Sequence, residues 1–93
     1  MKQQYSASQI NAFMSITATA QCACPAQLCG SIVDLRELHD YQFNCISDGA
    51  IGRKVHEAIS KAAEQAHAIL ENCLTSVLEI EGIDPHMAPV SKV

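Results

Sequence analysis

Three of the five cysteines, Cys22, Cys24 and Cys29, form a C-x-C-x4-C array, and Cys45 comes next along the chain. Thiolates favour soft metals, and structural zinc takes four tetrahedral ligands, commonly supplied as closely spaced cysteine pairs. Here a single residue separates the first pair, and a second pair would have to draw on Cys45, His39 or His56. The plainer account is small apolar thiols beside a core, so no metal ligand and no cofactor is expected. Cys24 differs because Pro25 follows it. Proline suits the first turn of a helix, where its missing N–H is not needed. A cysteine at such a helix start gains thiolate character, which makes it redox-sensitive or nucleophilic. A Cys-Pro pair can also ligate haem iron through sulfur. Nucleophilic catalysis needs a base, which only folding could supply from His39 or His56.

The other reactive residue types carry weaker signals. His56 and His67 are eleven residues apart, roughly 16 Å along a helix, too far to share one metal within it. They read as boundary residues at the edge of an apolar face. The ending Ser91-Lys92-Val93 matches the loose pattern of C-termini captured by strand addition, a match too short to carry weight. The chain has no phosphate-cradling glycine loop, no G-x-S-x-G and no H-E-x-x-H. A non-enzymatic protein is expected.

The dominant element is one helical pattern from Ala50 to Ile80. At about 1.5 Å per residue it runs roughly 45 Å, against a diameter in the low thirties of Å for a compact domain of this length. It must overhang its domain, break, or pack on a second copy. Ile51, Val55, Ala58, Ile59, Ala62, Ala63, Ala66, Ile69, Leu70, Cys73, Val77 and Ile80 fall within about half its circumference. Arg53, Glu57, Lys61, Glu64, Glu71, Thr75 and Glu79 take the other half. Cys73, at the centre of the stripe, should be inert. The apolar spacing follows a repeat of about eleven residues rather than seven, the mark of a nearly straight helix. Ser47-Asp48-Gly49 can start this helix, and Gly82 with Pro85 can end it. Arg53 and Lys54 in the first turn, and Glu79 and Glu81 at the last, oppose the helix dipole.

The first half is harder to read. Residues 1–5 should fray, and Ser6 with Gln9 forms a capping box ahead of Ile10, Phe13, Met14 and Thr17. A helix over residues 7–21 is favoured, but residues 15–24 also alternate as a strand would. Leu28, Cys29, Ile32, Leu35 and His39 mark a second helix. Gly30 weakens it, so it could shrink to residues 32–39. Tyr41, Phe43 and Cys45 alternate with polar residues, as in a short strand. The expected fold is mainly α, with about three helices in a single domain over residues 1–82 and a flexible tail over 83–93. The alternative is α+β, with a hairpin from residues 15–24 and 41–46.

Composition narrows the function. The 93 residues are 48% apolar, yet include only two Phe, two Tyr and no Trp, so the monomer core is modest. The net charge is −4 and the basic residues are scattered, which argues against direct binding of nucleic acid. No run approaches the ~20 apolar residues needed to cross a bilayer, so no membrane partner is expected. The polar N-terminus and odd cysteine number suit reduced thiols in the cytoplasm. The expected function is a protein–protein interaction module, an adaptor, inhibitor or regulatory subunit such as small bacterial or phage accessory proteins provide. Its partner is another protein or itself, as a homodimer. The contact residues would be Val55, Ile59, Ala62, Ala66, Ile69, Leu70 and Val77. The alternative is a small cysteine-based metal-binding or redox-sensing module.

Overall fold

The computed structural model describes residues 1–17, 22–45 and 49–84. These residues form three helices, α1 (Ala7–Thr17), α2 (Cys24–Asn44) and α3 (Ala50–Ile80), and no strand. The fold is mainly α. Of the two segments of the alternative hairpin, residues 15–17, 24 and 41–44 are helical, while 18–21 and 46 lie outside the described residues. Where these segments are described, local alternation gave way because the residues join helices and find no strand partner among the described residues.

Each helix has a readable start or stop. In α1 the capping box forms: the Ser6 amide donates to Gln9 Oε1 at 2.8 Å, and the Gln9 amide donates to Ser6 Oγ at 3.1 Å. Ile10, Phe13 and Thr17 then face inward, and the Thr17 hydroxyl donates back to the Phe13 carbonyl at 2.7 Å. Pro25 sits in the first turn of α2. The helix runs on through Gly30 to Asn44, well past the residue 32–39 minimum, burying Cys29, Ile32, His39 and Gln42. Gly82, at φ 75°, ends α3. The Gly82 amide donates to the Glu79 carbonyl at 3.1 Å and the Ile83 amide to the Leu78 carbonyl at 2.8 Å, the paired bonds of a Schellman cap. Its customary apolar contact is present too: Ile83, assigned to the tail from sequence, packs on the core that contains Leu78.

The core lies at one end of the molecule. Tyr5, Ile10, Phe13, Cys29, Ile32, Leu74 and Leu78 cluster there, drawing on the N-terminal segment, α1, the first half of α2 and the last third of α3. Tyr5 and Phe13 meet edge to face at 5.5 Å. Of the five residues expected to fray, Tyr5 is therefore held in the core. The molecule measures 48 × 26 × 21 Å, with a radius of gyration of 15.4 Å. A compact chain of this size would give about 12–13 Å. The length of α3 sets the long dimension, and its first three turns overhang the core.

Gly30 offers a direct test of this packing. A methyl group placed there meets nothing within 4 Å, and Gly30 lies inside α2. Gly30→Ala should stabilise the protein by about 0.5–1 kcal/mol through helix propensity alone, raising Tm by a few degrees in a thermal melt. A lower Tm would mean that α2 is interrupted at this point.

Candidate functional site

The face that α3 turns inward is not the centre of its apolar stripe. Ala63, His67, Glu71, Leu74 and Leu78 are buried, and at about 100° per residue their mean direction lies roughly 145° from that of Ile51, Ala62, Ile69, Cys73 and Ile80. Glu71, assigned to the solvent half from sequence, is 2% exposed. His67, read as a boundary residue, is fully buried.

A polar cluster fixes this rotation. Arg36 of α2 donates through Nη2 to Glu71 Oε2 at 3.1 Å and to the Tyr5 carbonyl at 2.6 Å, and through Nε to His67 Nε2 at 3.0 Å. Glu71 Oε2 also accepts the amides of Gln4 at 2.9 Å and Tyr5 at 3.2 Å. The Tyr5 hydroxyl meets Thr75 Oγ1, and Gln4 Nε2 donates to Asn72 Oδ1 at 2.7 Å. Because a guanidinium only donates, His67 Nε2 must accept, which places the imidazole proton on Nδ1. Nδ1 faces Glu71 Oε1 at 3.5 Å, too far for a hydrogen bond. The sequence reading missed Arg36, Glu71 and Tyr5 as a group. The available signal was His67 and Glu71 at i,i+4, followed on the same flank by Leu74 and Leu78.

The apolar stripe consequently faces outward. Ile51 is 80% exposed, Ile69 67% and Ile80 82%. Val55, Ala58, Ala62 and Cys73 are exposed as well, so Cys73 is not sheltered as its central position suggested. Ile59, Ala66, Leu70 and Val77 are half-buried along the border with the packed face, and Leu70 touches the core. Of the seven predicted contact residues, Val55, Ala62 and Ile69 thus stand in the open and the other four on this border. Beside the middle of the stripe, a shallow groove of about 460 Å³ opens between α2 and α3, lined by Ser31, Asp34, Leu35, Leu38, Ala66, Ile69 and Leu70.

A second groove, of about 560 Å³, lies between the end of α2 and the start of α3, with Phe43, Cys45, Arg53, Glu57 and Lys61 in its lining. Gln42 Nε2 donates to the Leu38 carbonyl at 2.9 Å, and its Oε1 accepts from His56 Nδ1 at 2.8 Å. His39 Nε2 pairs with Glu64 Oε2 at 2.9 Å. These histidines brace α2 against α3, and the contacts they make are structural.

Apart from Cys22 and Cys24, which are neighbours at the start of α2, the cysteines disperse. Cys29 is buried in the core, and burial raises its pKa. Cys45 lies beyond the far end of α2 from Cys24, roughly 30 Å along the helix axis. The four thiols considered for zinc therefore do not converge, and among the described residues no three His, Cys, Asp or Glu side chains are grouped to hold a metal ion. No described helix is long and apolar enough to cross a membrane.

Two measurements probe the polar cluster. Glu71→Ala leaves Arg36 without its carboxylate and two amides without an acceptor, and should cost about 3–5 kcal/mol in urea unfolding. A cost below about 1 kcal/mol would show that the pair is dispensable. Burial pushes the His67 pKa below its ordinary 6.5; the Glu71 carboxylate opposes this and the Arg36 guanidinium adds to it. Below pH 6.5 the unfolded chain takes up a proton here that the folded chain does not. The contribution of His67 is thus complete above that pH, declines beneath it, and levels off under the depressed folded value. His67→Gln should reduce the slope of stability against pH in this window; an unchanged slope would contradict the assignment. No protein-family model matches the chain, and no curated protein or solved structure matches it significantly.

Proposed function

We propose that this protein is an association module that pairs through α3 with a second copy of itself, and that its role is regulatory or adaptor-like rather than catalytic. The observation that carries this reading is the uncovered stripe of Ile51, Val55, Ile69 and Ile80 on a helix whose other flank already serves the core. Contiguous exposed apolar surface of this kind marks interaction sites in soluble proteins.

Self-pairing is favoured by the pattern of the stripe. About a midpoint between Gln65 and Ala66, Ile51 mirrors Ile80, Ala58 mirrors Cys73 and Ala62 mirrors Ile69. An antiparallel pair of such helices is self-complementary, as a two-fold interface requires. Its axis would pass close to Ala66 and Ile69, which line the apolar groove between α2 and α3. Antiparallel pairing also brings the basic first turn, with Arg53 and Lys54, next to the acidic end of the other copy, with Glu79 and Glu81. Charges that oppose the dipole of their own helix then complement the neighbouring one. Lys54 falls within about 3 Å of register with Glu79 across the pair, on the flank that borders the stripe.

Sedimentation equilibrium at high micromolar concentration should give twice the 10.0 kDa chain mass. Ile69→Glu should return it to a monomer that remains helical. Lys54→Glu alone should weaken pairing severalfold, and adding Glu79→Lys should restore it. Mild oxidation of Ala58→Cys should bridge the introduced thiol to Cys73 of the second copy, whereas a parallel arrangement would bridge Cys73 to Cys73. A chain that stays at the monomer mass throughout would overturn the reading, and a parallel bridge would overturn its geometry.

A further inference from the structure

Cys22 and Cys24 behave as a unit that the other cysteines do not. Both are exposed at the start of α2, and their sulfur atoms stand 2.7 Å apart. Ala23 between them has φ −79° and ψ 2°, a bend that turns both side chains to one side of the chain. The Cys24 amide, the first of the helix, points at Cys22 Sγ from 3.4 Å. By contrast, Cys29 is buried, Cys45 is half-buried at the opposite end of α2, and Cys73 lies on α3.

We propose that Cys22 and Cys24 form a thiol–disulfide exchange site, a dithiol that closes to an intramolecular disulfide at the expense of a small disulfide of the glutathione type. Cys22 is the attacking sulfur. The Cys24 thiol and, less strongly, the Cys24 amide donate to it, which lowers its pKa, while the same contact raises that of Cys24. The sequence assigned the activated position to Cys24. In the fold, the helix-start amide is aimed at the sulfur two residues earlier, so the activation passes to Cys22.

The steps balance with only the small disulfide as oxidant. The Cys22 thiolate attacks one sulfur of RSSR, the R–S–S–R bond breaks, and RS⁻ leaves a mixed disulfide on Cys22. Cys24 then loses its proton to solvent and attacks Cys22 Sγ, breaking the mixed bond and releasing a second RS⁻. The protein gives up two electrons and two protons, and the two thiolates leave as RSH once protonated. A disulfide across a single intervening residue closes a small, strained ring, and strained exposed disulfides are readily reduced. The chemistry therefore suits reversible exchange better than permanent cross-linking. It does not depend on pairing through α3.

Incubating the reduced full-length protein with glutathione disulfide at neutral pH, followed by intact mass and peptide mapping, tests the proposal. The expected product has lost two hydrogens, with the bridge between Cys22 and Cys24, and excess reduced glutathione reverses it. Cys24→Ser should stop at a stable glutathione adduct on Cys22. In the wild-type chain, Cys22 should react with glutathione disulfide severalfold faster in the native protein than in urea, which separates activation by the fold from the ordinary reactivity of a thiol. Persistent adducts on both Cys22 and Cys24 of the wild-type chain would overturn the proposal. So would failure of the pair to react, or a native rate at Cys22 no greater than that in urea.

Discussion

The arrangement of the whole chain depends on where the Glu71 carboxylate is placed. A buried carboxylate is costly unless ion-paired and hydrogen-bonded, and Glu71 has both kinds of partner: Arg36 from α2 and the amides of Gln4 and Tyr5. A pair of this kind adds little net stability over an apolar substitute, but losing half of it is expensive. It therefore acts as a selector. Rolling α3 to bury its apolar stripe would strip Arg36 of its carboxylate and leave the backbone of residues 4 and 5 without an acceptor. The helix keeps the rotation that satisfies these groups.

That selection has a cost at the surface. Leu74 and Leu78 sit on the chosen flank and complete the core with Ile10, Phe13 and Ile32. The isoleucines at 51, 69 and 80 are left in water. Towards the start of α3, contact with α2 relies on small residues and on polar bridges from His39 and His56 rather than on large apolar side chains. A chain with so few aromatic residues cannot cover two faces of a helix this long. The apolar surplus and the polar clasp are two consequences of the same allocation.

Chemistry and packing are also kept apart. The core cysteine, Cys29, is inert through burial, while Cys22 and Cys24 stand outside the core, where no packing constraint requires a thiol. Their one-residue spacing is a poor fit for a tetrahedral metal and a good fit for two sulfurs that touch. The bend at Ala23 brings the two sulfurs together, and the Cys24 thiol and amide both point at Cys22 Sγ, which is the geometry on which the proposed exchange chemistry rests.

Much of this protein was legible from local pattern. The capping box at Ser6 and Gln9, the proline start of α2, the full extent of α3 and its stop at Gly82 are all set by residues within a few positions of one another, and each formed where the sequence indicated. The continuity of α2 was not legible, because Gly30 and the alternating Tyr41–Cys45 run are weak local signals that packing of His39 and Gln42 overrode. Nor could periodicity say which flank of α3 would be buried. A helical wheel ranks faces by apolarity, but the burial of Glu71 and His67 depends on Arg36 and on the backbone of Gln4 and Tyr5, 31 to 67 residues away. Local sequence thus determined where α1 and α2 begin and where α3 begins and ends. The pairing of polar groups far apart in the chain, visible only in the tertiary structure, decided which way the longest one faces.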